Sequence, residues 1–363
     1  MAALRALVRD ELGEAEELVE RDSGTLSGRA AAQGLLRGGV DPDEVTAAVR
    51  RTGARVVHAH NLLPTFGWRA LAAARRAGAR TVLHLHNYRL VCAIGVCFID
   101  GQECTRCHGR DTLPGVRLNC RGGRAESLAY GAGLALWQAR MVEHADAIVV
   151  PSAFALQRLR DLGAPLGQTP VHVIGHPVPV TAERSAAAAG TYALVASRLA
   201  PEKGVGVAIE ACRRADLPLV VAGDGPDRPA LERAAAGADV RFLGAVAPEE
   251  VARLRAGAAL ALVPSRSAET FGLAAAEAMA AGVPVAASAV GALPELVDAA
   301  GLAPAGDPDA LARVARARFA DAAAGDAGIA RVRELVAPAA VARRLAEVYA
   351  VDGRPSRQVE SPT

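Results

Sequence analysis

Two glutamates eight positions apart, Glu269 and Glu277, lie in the run Pro264-Ser-Arg-Ser-Ala-Glu-Thr-Phe-Gly-Leu-Ala-Ala-Ala-Glu-Ala-Met-Ala-Ala-Gly-Val-Pro-Val285. The apolar stretch 258–263 before it reads as a buried strand, and a helix is expected over 271–281. Gly282 supplies the left-handed residue that closes such a helix, and 283–287 reads as the next buried strand. A loop leaving the carboxyl end of a parallel strand and facing a helix N-terminus is where an α/β sheet binds ligands. The first amides of that helix, from Phe271, Gly272, Leu273 and Ala274, and its dipole favour an anion such as a diphosphate. Glu269 precedes the anion position and Glu277 follows it by about two turns. Both carboxylates can then accept hydrogen bonds from the hydroxyls of one bound sugar or ribose.

The spacing of the two glutamates is common on amphipathic helices and carries little alone. Its frame, with Glu-Thr-Phe-Gly before the helix and Ala-Gly-Val-Pro-Val after it, resembles the retaining glycosyltransferases of family 4. That resemblance implies the two-domain GT-B architecture and a nucleotide-diphosphate sugar as donor. Ser197-Arg-Leu-Ala-Pro-Glu-Lys-Gly204 is similar to the family's Gly-Arg-Leu-x-x-x-Lys-Gly element, with Ser197 for the usual glycine. Arg198 offers a fork of donors and Lys203 a compact charge, a pairing suited to a departing diphosphate. Gly223-Asp-Gly225-Pro226 matches a Gly-x-Gly-Pro turn, whose glycines serve either the turn itself or close approach to ligand. Phe242-Leu243-Gly244 resembles the segment bordering the nucleotide base. Gly291-Ala-Leu-Pro-Glu295 is similar to Gly-Gly-x-Pro-Glu, in which the first glycine admits the diphosphate; here Ala292 replaces the second.

In the first half, His86 ends the strand-like 81–86 and opens Asn87-Tyr88-Arg89. The resemblance places this histidine toward the donor sugar. His58 and His60 share one side of the preceding strand, with acceptor-lining and structural roles both open, and no carboxylate completes a catalytic metal set with them. Five of the six cysteines fall between Cys92 and Cys120. Cys104-Thr-Arg-Cys107 has the spacing of a metal knuckle, and Cys92 with Cys120 would complete a four-thiolate zinc site. Free thiols and disulfides are the alternatives, Cys97 is then the spare, and Cys212 reads as core. A subset of similar glycosyltransferases carries such an insertion.

Positioning these residues takes two cores. At 363 residues the chain exceeds one core, which suggests two domains of about 150 residues each. Strand-like and helix-like segments alternate in the pattern of parallel α/β units. The first series has strands at 55–59, 80–85, 146–150 and 170–174, with helices at 42–52, 65–77, 124–144 and 153–162. The second has strands at 192–196, 217–222, 240–243, 258–263 and 283–287, with helices at 202–214, 229–236, 248–256, 271–281 and 294–298. The fold class is α/β, two doubly wound, Rossmann-like domains facing each other. The divisions are 1–175 with its Cys-rich insertion at 92–120, a Pro/Ala-rich linker at 176–190, a nucleotide-sugar domain at 191–335, a C-terminal helix at 336–352 and a disordered tail at 353–363.

The opening departs from this pattern, because residues 1–12 look like an amphipathic helix and 13–22 like a poor edge strand. Either the start has been misassigned or the first strand and its Gly-rich loop are missing. The first ten residues carry two Arg and an Asp where a signal peptide needs an apolar core, and no stretch suits a spanning helix. The cytoplasm is the default, with peripheral contact at the inner membrane face left open. A net charge of +2 argues against broad nucleic-acid binding. The expected partners are an NDP-sugar donor and a sugar, lipid-linked or small-molecule acceptor. No cofactor is needed for catalysis, apart from structural zinc if the cysteines bind it. The rival readings are a noncatalytic nucleotide-sugar-binding subunit and a GT-B sugar-nucleotide epimerase.

Overall fold

A computed structural model of the chain describes residues 2–180 and 185–350. The tail at 353–363 and part of the 176–190 connector lie outside the described residues. The chain forms two compact units. One holds the residues up to Cys97, then Cys104–Gly175, and the chain from Val341 onward; the other holds Phe98–Glu103 and His176–Ala340.

The first unit is built on a four-stranded parallel sheet of β1 (Val56–His60), β2 (Arg80–His84), β5 (Ala147–Val150) and β6 (Val171–Val173), in that spatial order. A two-stranded hairpin, β3 (Phe98–Ile99) and β4 (Gln102–Glu103), falls between them in sequence and belongs to the second unit. There the Arg266 guanidinium donates to the Gly101 carbonyl at 2.7 Å and lies over the Phe98 ring. Strand β5 is apolar throughout and fully buried, as expected of a strand covered on both faces. The 20-residue helix Arg124–Glu143 contributes Tyr130, Leu134 and Met141 to the core, with Leu71 from the helix Gly67–Arg76 and Ile148 from β5.

No strand precedes Val56 among the described residues, so β1 is an edge of this sheet. The opening helix is present at Ala2–Asp10. The expected edge strand at 13–22 is absent, and that segment is irregular. Its glutamates are held by arginines instead: Glu16 by Arg5 at 2.8 Å, Glu17 by Arg51 at 2.7 Å and Glu14 by Arg55 at 3.4 Å. Closely spaced carboxylates suit a solvated, ion-paired segment better than a sheet.

The second unit has a six-stranded parallel sheet of β7 (Ala193–Ala196), β8 (Leu219–Ala222), β9 (Val240–Gly244), β10 (Leu260–Val263), β11 (Val285–Ser288) and β12 (Leu302–Ala303). Their spatial order is β12-β11-β10-β7-β8-β9. The chain lays down β7, β8 and β9 in one direction, then returns to the other side of β7 with β10 and continues outward. Strand order therefore reverses between β7 and β10, and the loops that leave these two strands flank the crevice where doubly wound sheets bind ligands.

The C-terminal helix runs over Pro338–Tyr349, a little inside the expected 336–352, and from Val341 it is part of the first unit. Arg80 of β2 donates to the Val348 carbonyl at 2.8 Å, and Arg344 donates to the Val173 carbonyl of β6. No helix among the described residues is long and apolar enough to cross a membrane.

Candidate functional site

The loop after β10 and the loop after β7 meet through one carboxylate. Glu269 Oε1 accepts from Lys203 Nζ at 2.7 Å and from Ser265 Oγ at 2.7 Å. The pair is half-buried, with side-chain exposures of 30 % for Lys203 and 17 % for Glu269, so solvent screens it less than a surface pair. Ser265, not singled out from sequence, is buried and fixes the carboxylate. Four residues past Glu269 the helix Leu273–Ala280 begins, two residues later than expected, because Gly272 adopts a left-handed φ of 93° as its N-cap. A glycine cap offers no side chain to the first amides. The first intrahelical bond is Ala276 N to Gly272 O at 3.1 Å, so the amides of Leu273, Ala274 and Ala275 have no acceptor within the helix. An anion is what such a terminus favours. Gly282 at φ 76° ends the helix as expected, and Val283 N closes back on Ala278 O at 2.9 Å.

The buried Phe271 ring meets the His176 imidazole edge-on, with centroids 5.0 Å apart. Burial lowers the His176 pKa to about 4, so this ring is neutral beside the helix start. Nothing in the local sequence marks His176, since it stands far from both loops in the chain. Glu277 is about one turn into the helix and forms an ion pair with Arg255 from the helix Pro248–Ala256. Arg255 is a third residue, after Ser265 and His176, that the sequence does not single out. Arg198 pairs with Glu202, whose side chain is nearly buried and whose carbonyl accepts from the Arg266 amide at 2.8 Å. Arg198 itself stays 62 % exposed.

The glycines of these loops face protein backbone. A Cβ on Gly223 would stand 1.8 Å from the Ser197 carbonyl oxygen, and one on Gly225 would stand 2.3 Å from that of Leu199. The Gly-x-Gly turn thus lets the β8 loop lie against the β7 loop that carries Arg198. Gly291 packs in the same way against Glu269, with a would-be Cβ 2.3 Å from the Glu269 amide nitrogen. Phe242 and Leu243 sit half-buried on β9, at the outer edge of the sheet.

In the first unit, His86 joins a histidine cluster. His60 pairs with His84 in the β1–β2 register, and His60 Nδ1 lies 2.5 Å from His86 Nε2. His84 and His86 stack with centroids 4.0 Å apart. These rings border a small cleft of about 40 Å³ lined also by Asn61, Asn87 and Arg89. His58 Nδ1 is 2.5 Å from the Tyr349 hydroxyl, and burial first and His86 second bring the His58 pKa down to about 3.

The cysteines form a looser group. Cys92 is hydrogen-bonded to Cys97, which lowers its pKa to about 6, and a Cβ on Gly115 would lie 3.3 Å from the Cys107 sulfur and 4.0 Å from that of Cys120. Burial raises the Cys107 pKa to about 11, and Cys92, Cys120 and Cys104 add to the rise. Among the described residues no set of three or more ligand atoms within 4.8 Å of one another includes a cysteine. A four-thiolate site would require Cys92 to give up Cys97 for the metal. Cys212 is buried in the second unit's core.

Comparison with known proteins accords with this geometry. Residues 4–177 match the model described as a glycosyl transferase 4-like domain, and residues 190–321 that of glycosyl transferases group 1. The chain belongs to the GT-B glycosyltransferases of the family 4 type. Over 103 residues it is 43% identical to a GDP-mannose-dependent alpha-(1-6)-phosphatidylinositol dimannoside mannosyltransferase of Mycobacterium tuberculosis, a match covering 28% of this chain and 27% of that protein. The match therefore spans about a quarter of that relative's length. Among solved structures, HepE of Anabaena in complex with UDP aligns with a TM-score of 0.60 at 18% identity, covering 85% of this chain and 81% of that one. The sucrose-phosphate synthase of Thermosynechococcus elongatus aligns with a TM-score of 0.61 at 22% identity, covering 85% and 76%. At these identities the structural likeness establishes the fold.

Proposed function

We propose that this chain transfers a sugar from a nucleotide-diphosphate sugar to a hydroxyl acceptor, with retention of anomeric configuration. The observation that carries the reading is the Lys203–Glu269–Ser265 network at the strand-order reversal, immediately ahead of a helix start that no side chain of its cap closes. The diphosphate binds the amides of Leu273 and its successors, with Lys203 and Arg198 neutralising its charge. Glu277, oriented by Arg255, accepts from the ribose hydroxyls, and Glu269 accepts from the sugar. The acceptor oxygen attacks the anomeric carbon as the bond from that carbon to the diphosphate oxygen breaks. The acceptor proton passes to the departing diphosphate on the same face. The cations and helix dipole stabilise the leaving group in this scheme. If the cysteine insertion carries structural zinc, Cys92, Cys104, Cys107 and Cys120 are its ligands.

The test is nucleotide release from a panel of UDP-, GDP- and dTDP-sugars, with and without acceptors from a lysate, followed by the anomeric configuration of the product. Both UDP and GDP-mannose occur in the descriptions of similar proteins, so the panel spans both bases. Epimerised donor would identify an isomerase, and tight nucleotide binding without turnover a noncatalytic subunit.

Two substitutions probe separate parts of the site. Glu277→Ala is expected to weaken nucleotide binding by about tenfold, as loss of a hydrogen-bonded charged group does. Calorimetric titration with the nucleotide alone reads this, and unchanged affinity removes Glu277 from the site. Arg198→Ala is expected to lower turnover at least tenfold and to cost about 1–3 kcal/mol of stability besides, since Arg198 is exposed but its partner Glu202 is nearly buried and loses a charged partner. Turnover of the folded variant, measured below its thermal midpoint, separates the two effects, and wild-type turnover there would make Arg198 a structural residue.

A further inference from the structure

His58, His60 and His84, next to the His86 that the resemblance turns toward the donor sugar, have the geometry of a ligand set. His58 and His60 are two residues apart on β1 and so project from one face of the sheet. His84 lies opposite His60 on the adjacent parallel strand and adds a third imidazole to that face. One ring nitrogen from each of His58, His60 and His84 lies within 4.8 Å of the other two. The separation of His58 Nε2 from His84 Nδ1 is 3.2 Å. Two nitrogens bound at about 2.0–2.1 Å to one tetrahedral zinc would stand about 3.3 Å apart.

We propose that His58, His60 and His84 form a three-histidine site for a divalent transition metal of the zinc class, with the fourth coordination position open toward the cleft beside His86. The donor set selects the metal. Three imidazoles without a carboxylate suit zinc, copper, nickel or iron, and do not suit magnesium or calcium, which require oxygen. The Tyr349 hydroxyl holds Nδ1 of His58, the kind of outer contact that fixes which ring nitrogen faces a metal. His58 stacks on His84 at 13° and on His60 at 26°, and His60 and His84 are tilted at 36°, so metal entry turns the rings about χ2, a broad torsion in histidine. The metal would sit on the sheet of the first unit, and the inference stands whether or not the donor reading does.

The experiment uses the full chain, stripped with a chelator, dialysed against zinc chloride and analysed for bound metal by mass spectrometry. The wild type is expected to retain zinc that Cys104→Ser/Cys107→Ser also retains and that His58→Ala and His84→Ala each lose. Cobalt replacing this zinc should give ligand-field absorption without the thiolate charge-transfer band that cysteine ligation produces. Far-UV circular dichroism checks that the variants fold. Should they not fold, diethyl pyrocarbonate footprinting of the wild type decides, because zinc should protect His58, His60 and His84 from modification. Equal zinc content in the wild type and the folded histidine variants overturns the proposal, as does a footprint unchanged by zinc.

Discussion

Replacing Lys203 with Ala is expected to lower turnover of the nucleotide-sugar donor by about 10²–10³-fold, the loss seen when one preorganised group facing developing charge is removed. The effect should fall on kcat more than on KM, because the leaving diphosphate carries more charge at bond breaking than in the bound donor. Lys203 has a second partner in Glu269, 2.7 Å away, so its removal also strands a half-buried carboxylate. The double variant Lys203→Ala/Glu269→Gln separates the two roles, since the neutral amide no longer requires a cation. If Lys203 serves the diphosphate, the double variant regains its unfolding midpoint and stays inactive. If Lys203 serves only to neutralise Glu269, the double variant turns over as fast as Glu269→Gln alone, and the leaving-group assignment fails. Lys203→Arg is expected to recover part of the activity, limited by the larger planar head group.

The local parts of this site were legible in the sequence, and the parts that depend on tertiary register were not. Strand β10 lies at Leu260–Val263 within the expected 258–263, because an apolar run bounded by a turn and a proline has few other uses. The helix Pro248–Ala256 lies where expected, since Pro at its first turn and Gly257 after its end punctuate it. The Glu269 loop was found through its motif, yet the motif did not show that Lys203 would bond to it. That contact arises because β7 and β10 are neighbours, a fact of strand order rather than of either segment. His84 stood unremarked inside a strand for the same reason, as only the pairing of His60 with His84 makes a third ligand of it. Arg255 and His176 reach the loops of the second unit from distant helix and linker positions, and no local pattern could have assigned them. The edge strand expected at 13–22 is absent because its glutamates pair with Arg5, Arg51 and Arg55, partners that lie elsewhere in the chain.

Gly291 is the glycine whose motif and whose packing point to different partners. Its motif implies a glycine that admits the diphosphate, while the structure sets it against protein. At φ 60° a side chain is strained in any surroundings, and a Cβ would also stand 2.3 Å from Glu269 N and 2.4 Å from Glu269 O. Neither neighbour can swing aside as a flexible side chain would, because both belong to the backbone, and Ala292 N is bonded to that same Glu269 carbonyl at 2.9 Å. Gly291→Ala is therefore expected to destabilise the second unit by about 2–4 kcal/mol, the sum of a left-handed penalty and overpacking against a fixed chain. Displacing the Glu269 backbone should also pull its carboxylate from Lys203 and Ser265, so turnover falls in the same variant. The two roles of this glycine differ in what the nucleotide-free protein does. If Gly291 serves mainly the approach of the diphosphate, the unfolding midpoint without nucleotide stays at the wild-type value and only nucleotide affinity drops. If it serves the placement of Glu269, the midpoint falls before any nucleotide is added, and saturating nucleotide recovers only part of the loss. Thermal unfolding with and without nucleotide reads both quantities from one sample, and an unchanged nucleotide-free midpoint would return Gly291 to the ligand.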